Sequence, residues 1–222
     1  MGKEDMFLLW GSGSSPCMRV MIALEEKGFS GYAQKKLDFS KGEHKGPEVL
    51  ALNPRGQVPT FKDGDLVLGE SYAVLHYLQH RYPDSGNNLL PGSAKEQGKA
   101  LQRYYEIQVT LSAPYYALYL AIMFKKEPQE EVQKKVDAFL KEMKTFDGYL
   151  AESKFVGGDS FSLGDIDMMV ILTMCERQAL NVKEKFPNMH AYYERNKDRP
   201  SIAASYPPHF KTSDSPKILA SF

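Results

Sequence analysis

The chain has 222 residues, 42% of them hydrophobic and 25% charged, and its 28 Lys+Arg balance 28 Asp+Glu. A formal charge of zero argues against a nucleic-acid or anionic-membrane partner, since both demand a basic surface. No contiguous apolar run approaches the ~20 residues of a membrane span, and the apolar run in MGKEDMFLLW is too short for a signal peptide.

In chain order, MFLLW (Met6–Trp10) reads as a short buried strand. Gly11 to Pro16 break it. Met18, Val20, Met21, Ile22, Ala23 and Leu24 then recur at helical spacing until Gly28. Tyr32, Leu37 and Phe39 mark a second strand, and Glu48–Leu52 a short helix stopped by Asn53-Pro54. Val58–Phe61, a turn at Asp63-Gly64 and Leu66–Leu68 predict a hairpin. Ser71 opens a helix through Val74, Leu78 and Tyr82. This order makes residues 1–83 a small α/β domain. Residues 84–93 are a linker by composition, and residues 94–222 read as helical throughout. One amphipathic pattern covers Ala94–Phe124, with a kink expected at Pro114, and another covers Gln129–Leu150. In FSLGDI, Ser162 caps a helix, Asp165 answers it, and Phe161 and Ile166 can staple it. Ile166–Leu180 is apolar nearly all round, so it belongs at the centre of its domain. A surface helix then runs from Lys185-Phe186-Pro187 to about Lys197.

Four polar motifs in the α/β half carry chemistry. WGSGSSPCMRV (Trp10–Val20) puts serines at a helix N-terminus, where unpaired N–H groups favour an anion and a hydroxyl can donate to it. NPRGQVP (Asn53–Pro59) precedes a strand. A cis Val58–Pro59 bond there would expose the Val58 N–H and C=O to an extended peptide. GES (Gly69–Ser71) brings a carboxylate, a hydroxyl and helical N–H groups together, enough to hold an α-amino and an α-carboxylate. KGEHK (Lys41–Lys45) can reach a second carboxylate. Together these describe a site for a short, doubly anionic peptide with its reactive atom near the first helix. Singly, each has a plainer reading: capping serines, a trans proline, first-turn residues, a solvated histidine. Cys17 and Cys175 have no metal-ligand spacing, so no metal is expected, and a reducing cytoplasm is the simplest compartment. Cys17 echoes a redox C-x-x-C whose first cysteine has become Ser14, and it reads as a packing residue.

SSPCMRV, NPRGQVPTF, GESYAVLHYL and FSLGDIDM, in that order, resemble a cytosolic glutathione transferase over nearly the whole chain. SxPCxxV together with GEHKGPEVLALNP is similar to the serine-type theta, delta and zeta classes. LLWGSGSSPCMRVMIALEEKG resembles the rho class of fish and other aquatic animals. The resemblance implies an α/β thioredoxin-like N-terminal domain, an all-α C-terminal domain and a cytoplasmic homodimer. It implies attack of the thiolate of glutathione, a co-substrate, on small apolar electrophiles in detoxification. By the same resemblance, Ser14 donates to the glutathione sulfur, with Ser15 its rival and Ser12 a turn residue. Val58, ahead of Pro59, pairs with the cysteinyl backbone, and Glu70 and Ser71 bind the γ-glutamyl end. His44 contacts the glycyl carboxylate, with Gln57 a further candidate. Gly56 stands where delta-type enzymes carry a histidine, which leaves the glycyl end to His44, Arg55 or Lys41. Tyr115, Tyr119, Met168 and Phe210 would line the electrophile pocket, although Tyr115 and Tyr119, at i and i+4, fit a helical core equally. Two other activities stay open on this scaffold: a glutathione-dependent reductase or isomerase, for which reductase chemistry needs an exposed Cys17, and a non-catalytic carrier of apolar ligands.

Overall fold

A computed structural model describes residues 3–214 and 216–222. Its elements are β1 (Met6–Gly11), α1 (Ser15–Glu26), β2 (Ala33–Leu37), α2 (Pro47–Leu50), β3 (Thr60–Asp63), β4 (Leu66–Leu68) and α3 (Ser71–Arg81), followed by helices alone. These are α4 (Ala94–Glu106), α5 (Ala113–Leu120), α6 (Gln129–Glu152), α7 (Leu163–Arg177), α8 (Val182–Lys185), α9 (Pro187–Asn196) and α10 (Pro200–Ser205). They group into two compact units. One holds the chain up to Leu89 together with Arg199–Asp214; the other holds Leu90–Asp198 and the last residues.

In the first unit the sheet order is β2-β1-β3-β4. β1 pairs parallel with β2 and antiparallel with β3, and β3 pairs antiparallel with β4. This is the small mixed sheet that a thioredoxin-like half requires. The helix α1 starts because Ser14 is extended (φ −77°) and Pro16 sits in the first turn with its φ preset. It stops at Gly28, whose φ of +76° suits glycine. There the Phe29 and Gly28 amides return to the Leu24 and Glu25 carbonyls, satisfying two orphan acceptors. Leu8, Val20, Leu24, Phe61, Val74, Leu75 and Leu78 have no exposed surface. Leu9, Leu37 and Val49 form a second cluster, against which Phe7, Leu52 and Val58 pack. The hairpin is shorter than the sequence predicts. Val58 and Pro59 precede β3, since a proline gives no N–H to a ladder.

The segment Arg199–Asp214 joins this unit through the far end of α1. The Glu26 carboxylate is buried there. It accepts from Arg199 Nε at 2.5 Å and Nη2 at 2.7 Å, from Asn87 Nδ2 at 2.7 Å, and from Ser201 Oγ. Burial pushes the Glu26 carboxyl up, but these donors together outweigh it and hold it below the usual carboxylate range.

In the second unit α7 is buried from Leu163 to Cys175, as its all-round apolar pattern predicts. Its start is the expected capping box. Asp165 Oδ2 accepts from the Ser162 N–H (2.9 Å) and hydroxyl (2.8 Å), and Oδ1 from the Val156 N–H (3.0 Å) and Tyr192 hydroxyl (2.9 Å). The helix from Ala94 to Lys125 is unbroken and runs through Pro114. Its backbone widens to π-helix at Ile107–Ser112 and Ala121–Lys125. Pro114 cannot donate to the Thr110 carbonyl, and the first widened turn lies where that bond is lost. By length and composition this helix is apolar enough to cross a membrane, with 28% of its most apolar window buried. Counting unbroken apolar runs misses it because Gln108, Thr110 and Ser112 interrupt them. Tyr105, Val109, Tyr116, Met123 and Phe124 are exposed along it.

Candidate functional site

The sheet register assembles the polar motifs of the first unit. β1 pairs Leu9 with Thr60, so two residues further on Gly11 stands level with Val58. β3 pairs Phe61 with Leu68, so Pro59 stands level with Glu70. β2 pairs Leu37 with Gly11, and the Lys41–Lys45 loop therefore leaves from the same sheet end. Four motifs scattered over sixty residues converge where β1 runs out.

Ser14 is the N-cap of α1. Its Oγ accepts from the Cys17 N–H at 3.4 Å. This bond uses a lone pair and leaves the hydroxyl proton to donate elsewhere, so capping and donation to an anion are compatible. Ser15 is the first residue of the helix, and Ser12 Oγ lies 2.7 Å from His209 Nδ1. Cys17 is 1% exposed. Burial pushes its thiol up to about 11, against smaller opposing pulls from the Ser14 hydroxyl, the Gly11 backbone and Arg19. Such a thiol is neutral at physiological pH.

The Val58–Pro59 bond is cis. Among the described residues, no backbone hydrogen bond uses the Val58 N–H or carbonyl. Asn53 organises this loop, a role that sequence reasoning did not assign to it. Its Nδ2 donates to the Gln57 carbonyl (3.0 Å) and its Oδ1 accepts from the Arg55 N–H (3.1 Å). A Cβ at Gly69 would lie 2.7 Å from Asn53 Nδ2, so the GES turn presses directly on the same amide. The Asn-Pro pair carried the signal, since asparagine side chains commonly close such turns on their own backbone.

Glu70 precedes α3 as its N-cap, yet its side chain makes no capping bond. Its carboxylate is exposed beside the first N–H groups of α3. Ser71 is buried, and its Oγ accepts from Arg19 Nε at 3.2 Å. The Arg19 guanidinium also lies 4.5 Å from the centre of the Tyr72 ring. The Arg19 contacts with this hydroxyl and this ring position Ser71 from the middle of α1.

His44 stands in a single 3-10 turn, its ring edge-on to Phe39 at 5.0 Å. Its Nδ1 is buried without a hydrogen-bond partner. Gly56 lies beside it with φ +57°, and a Cβ there would meet Leu50 and Lys45 carbons at 3.2 Å. Backbone sign and crowding both explain why a glycine occupies that place. The Gln57 side chain and Arg55 are exposed, and Lys41 leans toward Asp38 at 3.7 Å.

The apolar candidates belong to two units. Phe210 belongs to the first unit, where its ring would lie 3.5 Å from a Cβ on Gly13. Met168 has no exposed surface, and the ring of the buried Tyr115 tilts against Phe139 at 5.7 Å. The Tyr115 hydroxyl is buried, and burial raises it well above the usual phenol range against a smaller opposing pull from the Gln178 side chain. Tyr119 is half-buried, edge-on to Phe124. Among the described residues no group of three or more His, Cys, Asp or Glu is placed to hold a metal.

Two family profiles match the chain: glutathione S-transferase, N-terminal domain, over residues 6–80, and glutathione S-transferase, C-terminal domain, over residues 111–200. Glutathione S-transferase A of Pleuronectes platessa is 42% identical over 216 residues, covering 92% of each chain. Glutathione S-transferase 3 of Zea mays is 30% identical, covering 87% of this chain and 90% of its own. Among solved structures, a glutathione S-transferase from the Antarctic clam Laternula elliptica superposes with a TM-score of 0.88 at 37% identity, over 98% of this chain and 99% of its own. A delta-class glutathione transferase of Nilaparvata lugens gives 0.81 at 29%, over 93% and 95%.

Proposed function

From the premise that this chain belongs to the glutathione S-transferase family, we propose that it is a serine-type enzyme that joins the glutathione thiolate to small apolar electrophiles in cytoplasmic detoxification. The observation that carries this reading is the convergence, at one sheet end, of Ser14, the unpaired Val58 backbone and Glu70 with Ser71. In this reading the Val58 N–H and C=O pair with the cysteinyl backbone as an added strand would. The Glu70 carboxylate takes the α-amino group, and the Ser71 hydroxyl and the N–H groups of α3 take the α-carboxylate. His44, through its unpartnered Nδ1, serves the glycyl end, with Gln57 beside it. The thiol then lies at the N-terminus of α1, where Ser14 donates to it as it ionises.

The rho-like assignment rests on the opening motif. Phe210, beside Gly13, supplies an apolar wall for the electrophile. A buried, neutral Cys17 speaks against reductase chemistry at that thiol. Two buried cysteines without a bond between them suit a reducing compartment. The exposed Tyr105, Val109 and Tyr116 recur along one helix, and a second copy would cover them in a homodimer.

The test is a conjugation screen over aryl halides, epoxides, alkenals and hydroperoxides, beside titration of glutathione into the protein. Micromolar-to-millimolar binding and turnover of at least one electrophile class are expected. Binding without turnover would leave the carrier reading in its place, and no binding would refute both.

A further inference from the structure

The segment after α9 grips α1 at both ends. At the C-terminal end, Arg199 and Ser201 hold the buried Glu26 carboxylate. At the N-terminal end, His209 Nδ1 meets Ser12 Oγ at 2.7 Å. The imidazole also lies over the next residue, for a Cβ on Gly13 would come within 3.0 Å of its Cε1 and 3.3 Å of its Nε2. Gly13 has φ +82° and stands between Ser12 and Ser14. The turn is closed by the Ser14 N–H on the Gly11 carbonyl at 3.2 Å, and within it Ser12 and Gly13 keep the remaining freedom, glycine being the least restricted residue.

The tail that brings His209 there is itself stiff. Pro207 and Pro208 fix two φ angles before it. The His209 carbonyl accepts from the Thr212 N–H (3.2 Å), the Ser213 N–H (2.9 Å) and the Ser213 hydroxyl (2.7 Å). Phe210 packs edge-on against both Tyr206 (5.8 Å) and His209 (4.7 Å).

We infer that His209 is a positioning residue for the reaction: through Ser12 and Gly13 it sets the loop that presents the Ser14 hydroxyl. This rests on the reading of Ser14 as the thiolate donor. His209 touches no reacting atom. It acts by holding a loop whose displacement by a fraction of an ångström would lengthen the Ser14 bond to sulfur.

The experiment is a double-mutant cycle on the full chain with Ser12→Ala, His209→Ala and both, plus His209→Asn, whose amide can occupy the Nδ1 position. Four quantities are read: the ultraviolet thiolate band of bound glutathione against pH, the glutathione Kd, kcat and KM. Because the effect passes through Ser14, the fall in kcat at pH 7 for either single variant should not exceed the about twofold expected of Ser14→Ala. The expected pattern is a raised bound-thiol pKa, a nearly constant Kd, no further loss in the double variant and recovery in His209→Asn. Additive losses, an unmoved thiol pKa, or His209→Asn no better than His209→Ala would overturn the inference. Ser14→Ala serves as the separate control. If it leaves the thiol pKa unchanged, the reading of Ser14 falls. If it raises the pKa while the cycle is additive, only the role of His209 falls.

Discussion

Replacing Ser14 with alanine removes one hydroxyl and tests how much of the rate comes from ionising the thiol. A free thiol titrates near ~8.5. A hydrogen bond to the charged form contributes ~1.5–3 kcal/mol and a helix N-terminus ~0.3–1 kcal/mol, which at ~1.36 kcal/mol per unit places the bound thiol near ~6.5. Ser14→Ala loses the first contribution and keeps the second, so the bound pKa should return to ~8. At pH 7 the thiolate fraction then falls about eightfold. The more basic thiolate is, however, about fivefold more nucleophilic at a Brønsted slope of ~0.45. Turnover at saturating glutathione should therefore drop only about twofold at pH 7 and exceed the parent enzyme about fourfold at pH 9, where both thiols are ionised. The assay is the pH–rate profile from pH 6 to 9.5, read beside the ultraviolet thiolate band. The variant also loses the 3.4 Å cap bond to Cys17, at ~0.5–1 kcal/mol of stability, so its Tm is recorded as a control. A variant slowed by the same large factor at every pH, or one whose thiol pKa does not move, would refute the reasoning.

Glu70→Gln should raise KM for glutathione about tenfold with kcat nearly unchanged, because the carboxylate binds the end of the peptide remote from sulfur. A fall in kcat alone would contradict that role. Glu26→Gln should cost ~2–3 kcal/mol at pH 7 by chemical denaturation, since Arg199 loses its charged partner. The Glu26 carboxyl is held below its unfolded value, so its contribution is full above ~pH 4.3 and is lost as pH falls through the folded pKa. The gap between parent and Glu26→Gln should therefore close in acid; a gap constant from pH 7 to 3 would count against it. Asp165→Ala orphans four donors, one of them the Tyr192 hydroxyl, and should cost at least ~3 kcal/mol or prevent folding of the helical unit. Val109→Glu with Tyr116→Glu should convert the proposed dimer to monomers by sedimentation. An unchanged mass would place the interface elsewhere.

What the sequence made legible is local. MFLLW names β1 because a strand buried on both faces reads as a continuous apolar run, and the Met18–Leu24 periodicity names α1, patterns that survive without knowledge of partners. Ser162 and Asp165 announce α7 because a capping box closes within four residues. That Ser14, Val58 and Glu70 serve one site was legible from the chemistry of the polar motifs and from their resemblance, but their geometry was not. No spacing along the chain reveals that Gly11 stands level with Val58; that comes from strand register. Contacts between distant residues were out of reach altogether. Arg19 finds Ser71 fifty-two positions away, and Glu26 finds Arg199 at 173. Pro200 begins a short helix with its φ preset, a signal present but too brief to weigh against the surrounding polar residues. Beside Pro114, where a kink is expected, the helix widens to a π turn. Sequence shows that the proline removes a donor, but not how its neighbours redistribute their carbonyls.

The return of Arg199–Asp214 to the first unit has a consequence for the order in which the protein can be made. Synthesis proceeds from the N-terminus, and domains ordinarily complete themselves as they emerge. Here β1, α1, the hairpin and α3 leave the ribosome early, but the partner of Glu26 and the residue that ties Ser12 are among the last to appear. Until they arrive, a carboxylate meant for burial stays in water and the loop before α1 stays untied. The second unit, lying between, has its capping box and its buried α7 in hand first. The half of the chain that begins the sequence thus waits for nearly the whole chain before its own contacts are complete.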